Sequence, residues 1–353
     1  MKNEESNPLY YSDYLELDKI LNSQHPRTAT LPQGAGDEML FIVIHQAYEL
    51  WFKQILYELD LVHNVFTQES INDNAPDMGN AVHKLKRIVK ILELLNHQVD
   101  VLETMTPMDF LEFRNYLVPA SGFQSAQFRL IEAKLGLKME QRYKADYYKH
   151  TRKGGFNEKD IEAINQAEAA STLKDLVVKW SLRTPFFDES LWKAYRSADY
   201  PSDVGAGRFW QDYQRIYTAS LSANEKGRLD EFQRVFFQDG RGEFPAAAMR
   251  AVLFITLYRD LPIFQLPFEL LNALITLDEL LSNWRYRHIL MVRRMIGLRV
   301  GTGGTSGSGY LEGALNQHYI FKELTEIATF LVERSRLPGL PDAVKEQMSF
   351  RAK

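Results

Sequence analysis

Apolar residues recur at helical spacing along most of the chain, while the two-residue alternation of half-buried strands is almost absent. The pattern predicts an all-α fold. From Asp37 to about Phe66, Phe41, His45, Tyr48, Phe52, Ile55, Leu59 and Val62 form one stripe. Leu40, Ile44, Ala47 and Trp51 form a second beside it, with Asp37 as a possible cap. So wide an apolar arc predicts a central helix. After a polar loop, a second apolar helix covers Met78 to Met105. Thr106-Pro107-Met108-Asp109 then reads as a helix start, with Phe110, Phe113, Arg114 and Leu117 following and Pro119 as its break. Arg114 shares the Phe110/Leu117 face and is drawn inward. Ser121 with Gln124 can box the next helix, which stops at Gly136.

Residues 137–245 are more charged and less regular, with helical patterns near 158–182, 187–196 and 207–238, read as peripheral helices without an assignable motif. Apolar helices return with PAAAMRAVLFITLYRD and the proline-punctuated FQLPF. A further stripe follows: Leu277, Leu281, Trp284, His288, Met291, Met295 and Leu298. Thr276 with Glu279 is a capping box for it and Gly297 a stop. Six glycines in the thirteen residues Gly297–Gly309 make a loop of it. A helix from Tyr319 to about Val332 precedes a Pro-rich tail. The expected organisation is an N-terminal arm over 1–36, one all-α domain over 37–335 and a tail over 336–353. Within the arm, Tyr11, Tyr14 and Leu15 lie on one face of a piece too short to fold alone, which predicts docking on another subunit.

Composition narrows the chemistry. The 353 residues are 45% hydrophobic, enough for a sizeable core, and the net charge of −4 with scattered basic residues disfavours nucleic acid as main partner. No cysteine occurs, which excludes disulfides, iron–sulfur ligation and a thiol nucleophile, and fits a reducing, cytoplasmic compartment. No N-terminal signal or membrane-length apolar run is expected. Arg285, Arg287, Arg293, Arg294 and Arg299 cluster near the glycine loop, as a solvated or interface face or as an anion site.

The glycine loop follows a helix and lacks a P-loop lysine, and its spacing is not the dinucleotide fingerprint. No nucleophile elbow, HExxH or paired Glu-x-x-His set is present, and the His45-x-x-x-Glu49 pair alone is a weak metal signal. His288 and His45 each have two readings: a core histidine satisfied by one hydrogen bond, or a metal or haem ligand. Arg114 is a structural salt-bridge partner or a carboxylate binder.

Several stretches together resemble the tryptophan 2,3-dioxygenase family. They are HQAYELWFKQ (His45–Gln54), LETMTPMDFLEFRNYLVPASGFQS (Leu102–Ser125), FQLPF, WRYRH (Trp284–His288) and GTGGTSG (Gly301–Gly307), in family order across roughly residues 10–320. The resemblance implies an all-α, haem b enzyme, usually a homotetramer built as a dimer of dimers. Its members insert both atoms of O₂ across the indole C2–C3 bond of L-tryptophan, giving N-formyl-L-kynurenine. Carried over by motif, His288 is the axial ligand of the haem iron, and His45 accepts a hydrogen bond from the indole N–H. Phe41, Ile42, Val43 and Ile44 line the indole pocket. Arg114 holds the substrate carboxylate, and Thr302 meets its ammonium group. Tyr11, Tyr14 and Leu15 match a segment that reaches into a neighbouring subunit's site. Phe110 stands where some members carry a tyrosine that donates to the carboxylate, so the clamp rests more on Arg114; Thr305 replaces a serine, keeps its hydroxyl and is expected to have a small effect. Two other outcomes use the same residues: a haem monooxygenase acting on a substituted tryptophan, and a non-catalytic haem- or tryptophan-binding helical oligomer.

Overall fold

A computed structural model describes residues 8–32, 34–71, 76–137, 156–183, 189–198, 202, 204–238, 242–299 and 319–347. The helices in chain order are α1 (Tyr11–Tyr14), α2 (Leu17–Leu21), α3 (Glu38–Phe66), α4 (Pro76–Leu102), α5 (Pro107–Arg114), α6 (Ala126–Leu135), α7 (Glu158–Ala169) and α8 (Leu173–Leu182). They continue with α9 (Glu189–Trp192), α10 (Ala206–Ser220), α11 (Arg228–Phe237), α12 (Ala246–Leu257), α13 (Pro262–Ile296), α14 (Lys322–Glu326) and α15 (Asp342–Gln347). No strand occurs among the described residues. The one antiparallel bridge, Arg196 to Val204, is isolated. The chain is all-α, as its periodicity predicts.

Three long helices frame the structure: α3, α4 and α13, of 29, 27 and 35 residues. Of the predicted main stripe of α3, Tyr48, Phe52, Ile55, Leu59 and Val62 are buried while Phe41 and His45 at its start are half-buried, and of the second stripe only Ile44 is fully buried. Asp37 sits at the start of α3 but makes no side-chain cap bond. The first-turn carboxylate that does work locally is Glu38, which is buried and accepts from Arg27 N (2.7 Å), Thr28 N (2.9 Å) and Thr28 Oγ1 (2.6 Å). It ties the polar segment ahead of α3 to the helix. α4 is joined to α3 by Tyr48 Oη donating to Leu95 O (2.9 Å) and Gln98 Nε2 donating to Ile44 O (2.9 Å). Asn96 Nδ2 donates to Leu280 O (3.1 Å), and Arg287 Nη1 to Asn96 O (2.6 Å), which joins α4 to α13.

α13 departs from expectation at its start. It does not begin at a Thr276 box; it runs unbroken from Pro262, and Thr276 Oγ1 bonds back to Asn272 O (3.0 Å). Pro267 is tolerated because it falls in the second turn, where its missing N–H costs one helical bond near the end. Gly297 ends the helix as predicted, at φ 57° where a side chain would be strained, its N–H bonded to Arg293 O (2.9 Å). α5 is also as predicted: Thr106 Oγ1 accepts from Asp109 N (3.3 Å), and Asp109 Oδ2 from Thr106 N (2.9 Å). It stops at Arg114, before Pro119. Ser121 and Gln124 bracket a 3-10 turn instead of the next helix, and α6 is capped by Ser125, whose Oγ accepts from Phe128 N (3.2 Å).

The helices of the irregular middle stretch bury Trp180, Trp192, Phe209, Tyr213 and Phe232 in the same apolar cluster as α3, α4, α12 and α13. The single helix expected from Tyr319 to Val332 is shorter: α14 passes into a 3-10 turn at Ile327–Phe330. Tyr213 Oη donates to Phe330 O (2.7 Å), and the buried Asp278 of α13 accepts from Ile320 N (2.9 Å) and Phe321 N (2.8 Å), so this segment is shaped by its partners. No single described helix is long and apolar enough to cross a membrane.

Candidate functional site

α3 and α13 touch through one indole. Trp284 of α13 lies edge-on to Tyr48 (6.1 Å between centroids) and Phe52 (6.5 Å) of α3. One turn further along each helix, in opposite directions, stand His45 and His288. Phe41, one turn before His45, packs on α5: it lies 5.9 Å from Phe110 and 5.5 Å from Phe113, and those two rings meet edge-on at 5.3 Å. The elements that carry the two histidines and the arginine are therefore neighbours, although residues 45, 114 and 288 are far apart in sequence.

His45 is oriented from within its own helix. Its Nδ1 lies 2.6 Å from Phe41 O. A carbonyl only accepts, so Nδ1 carries the proton, and a neutral ring then offers Nε2 as an acceptor. Burial lowers the His45 pKa below its ordinary 6.5, against smaller opposing effects of the Phe41 carbonyl and the Glu49 carboxylate. The Phe41 ring backs it at 4.0 Å.

His288 is the more desolvated of the two. Burial, assisted by the nearby His45, holds its pKa down to about 4, so its imidazole is neutral at physiological pH. Both rings nonetheless keep part of their surface open. A ligand can reach such a side chain, but bulk water does not surround it. Trp284 stacks on His288 at 5.3 Å and 21°. No hydrogen bond to the His288 ring is made among the described residues, and a desolvated imidazole without one wants a partner of another kind.

The donor set fits an axial haem ligand. One neutral histidine stands on an apolar helix face beside the Trp284 ring, and no group of three or more His, Cys, Asp or Glu side chains is placed to cage a metal ion among the described residues. Glu49 is no second ligand to His45, because its carboxylate is engaged by Gln127 Nε2 at 2.8 Å.

The remaining predicted residues fall as follows. Arg114 is the last residue of α5, half-buried, one turn from Phe110. The run Phe41–Ile44 is helical, so its side chains point in different directions. Phe41 shares the His45 face, Ile42 is half-buried, Val43 is exposed, and Ile44 is in the core. Tyr11 and Tyr14 are 74% and 70% exposed, and no residue of α1 or α2 is buried within the chain. Thr302, Thr305 and the glycines from Gly301 to Gly309 lie outside the described residues. The arginine cluster is divided rather than pooled at one anion site. Arg285 is buried against Glu132 (2.9 Å), Arg287 is paired with Asp100 and with Glu103 (3.2 Å), while Arg293, Arg294 and Arg299 face outward. Leu298 leaves the predicted stripe because Gly297 ends the helix, and it is 96% exposed. Sequence reasoning missed Phe113, which packs on Phe41, and Phe128, which packs on Trp284. The aromatic spacing in DFLEF and the position of Phe128 one turn from Gln124 carried a signal, but neither names a partner.

Comparison with known proteins bears on the same residues. The family model for tryptophan 2,3-dioxygenase matches residues 1–331. A protein named tryptophan 2,3-dioxygenase from Bdellovibrio bacteriovorus is 42% identical over 97% of this chain and 98% of its own length. Those of the same name from Alteromonas mediterranea and Dictyostelium discoideum are 39% and 40% identical, over 97% of this chain and 98% and 88% of their own lengths. A match that spans both arm and cleft at this identity leaves no room for a chance likeness of short motifs: the chain belongs to the tryptophan 2,3-dioxygenase family.

Proposed function

We propose that this protein is a haem-dependent dioxygenase that inserts both atoms of O₂ across the indole C2–C3 bond of L-tryptophan to give N-formyl-L-kynurenine. The observation that carries this reading is the pair of neutral histidines on α3 and α13, His45 with a free acceptor nitrogen and His288 with no hydrogen-bond partner among the described residues. His288 would hold the haem b iron through its neutral imidazole. When bound, haem supplies the capacity to bind O₂ and to exchange electrons that no side chain here has.

The chain's own residues bind and orient. His45 Nε2 accepts the indole N–H, which fixes the edge of the ring presented to O₂. Phe41, Phe110 and Phe113 form an apolar wall beside it and exclude water. Arg114 grips the substrate carboxylate with two parallel charge-assisted bonds, and Thr302 meets the ammonium group. Phe110 cannot donate a hydrogen bond, so the carboxylate relies on Arg114. No protein nucleophile or acid–base pair is required. The exposed tyrosines of α1, with Leu15, complete a neighbouring subunit's pocket in a homotetramer. The 1–36 segment is then the inter-subunit arm, and the chain works in the cytoplasm.

The test is the purified protein with tryptophan, ascorbate and ¹⁸O₂. Two labelled oxygens in the product, together with a Soret band that His288→Ala largely loses, are expected. A single labelled oxygen favours the monooxygenase, and no turnover by a haem-loaded protein favours a non-catalytic binder. Normal haem content in His288→Ala removes the ligand assignment.

A further inference from the structure

The His288 imidazole is oriented in an unusual way. Histidines that ligate a metal are ordinarily held by a hydrogen bond on the other ring nitrogen. Among the described residues His288 makes none, so no hydrogen bond from them fixes its rotation about Cβ–Cγ. What touches its face is Trp284, one helical turn earlier, at 5.3 Å and 21° from parallel.

That indole is itself clamped. Phe128 of α6 packs on it at 4.8 Å, and Tyr48 and Phe52 of α3 meet it edge-on. α6 in turn is fastened to α13 by a buried chain of charges one turn beyond Phe128. Arg129 Nη1 bonds Glu132 Oε2 (2.7 Å), and Glu132 Oε1 accepts from Arg285 Nη2 (2.9 Å). Arg285 is the residue next to Trp284. Two helices besides α13 therefore converge on the ring that stacks on the histidine.

We propose that Trp284 is a positioning residue: its stack on His288, backed by Phe128, sets the plane of the axial imidazole and favours the oxidised iron. The second effect follows from the indole's negative π face, which stabilises an imidazole made more positive by ferric than by ferrous iron. The inference rests on the proposed ligation of haem by His288.

The experiment compares holoprotein of wild type, Trp284→Phe, Trp284→Leu and Phe128→Leu at matched haem content. The readouts are reduction potential, ferric electron paramagnetic resonance, haem transfer to excess apomyoglobin, and thermal unfolding. Loss of the aromatic pair in Trp284→Leu is expected to speed haem loss about two- to tenfold, raise the potential and broaden the ferric signal. Trp284→Phe keeps an aromatic face and stays near wild type, and Phe128→Leu moves in the same direction as Trp284→Leu by less. A merely structural tryptophan would lower the melting temperature and leave the potential and the ferric signal where they are, which overturns the proposal. Should Trp284→Leu not fold, wild-type potential and haem-loss rate in Phe128→Leu overturn it equally. A wild type without haem, or a His288→Ala that retains it, overturns the ligation itself, and haem content separates that failure from the failure of the stack.

Discussion

Replacing His45 by alanine isolates the one hydrogen bond that the geometry dictates. Nδ1 is committed to Phe41 O at 2.6 Å, so the ring has a single acceptor, Nε2, to offer a ligand. Around it stand Phe41, Phe110 and Phe113, none of which can accept from an indole N–H as a carbonyl or imidazole does. An N–H left unpaired in such surroundings costs about 1–3 kcal/mol, or about 5- to 150-fold in affinity. The assay is equilibrium binding, followed through the haem absorption, of tryptophan and of its analogue with sulfur in place of the ring N–H. Binding is preferable to turnover because sulfur alters the reactivity of the ring. Wild type should prefer tryptophan by that factor, and His45→Ala should bind the two alike. If the mutant discriminates as strongly as wild type, the bond does not exist. The same bond sets a pH dependence. Because burial lowers the His45 pKa, the neutral acceptor persists below 6.5, and tryptophan affinity should stay level as pH falls through that value. It declines only as pH drops through the lower folded value. Native stability should weaken as pH falls below about 6.5, since the unfolded chain then takes up a proton that the buried ring refuses. An affinity that breaks at or above 6.5 would mean a solvated histidine.

Arg114→Lys should behave like Arg114→Ala, because a point charge does not reproduce a bidentate grip. Each charge-assisted bond lost costs about 1.5–3 kcal/mol, and the ratio of kcat/KM for tryptophan to that for tryptamine should collapse in both variants; an unchanged ratio makes Arg114 structural. Deleting residues 1–20 should lower turnover more than haem content, and a fully active truncated monomer, seen by sedimentation, would contradict the role of the arm. Glu132→Ala removes the carboxylate shared by two buried arginines and should cost about 3–5 kcal/mol in urea unfolding; a loss below about 1 kcal/mol, the scale of an exposed pair, would show that these charges are solvated.

The chain determines by itself whatever depends on near neighbours. The α3 stripe, the Thr106–Asp109 box with Pro107, and the Gly136 and Gly297 stops are all local signals, and the structure has them where the pattern puts them. Short-range signals also misled where two were in competition. Thr276 and Glu279 look like a cap, yet the turns before them are equally apolar, and burial of Leu270, Leu271 and Leu274 carries α13 straight through. The motifs identified the family, because their order along the chain is information that no single helix holds. Tertiary structure alone decided which faces meet. Periodicity says that His45 and His288 point inward, but not that the two rings come near enough to influence each other. Nor does it say that Arg285 goes to Glu132, 153 residues away, or that Arg287 goes to Asp100 and Glu103 instead of to a ligand. The middle helices, read from their charge as peripheral, bury Trp192, Tyr213 and Phe232. An apolar stripe records that a surface must leave water; the choice of what it packs against is made by shape and charge across the whole molecule, after the helices exist.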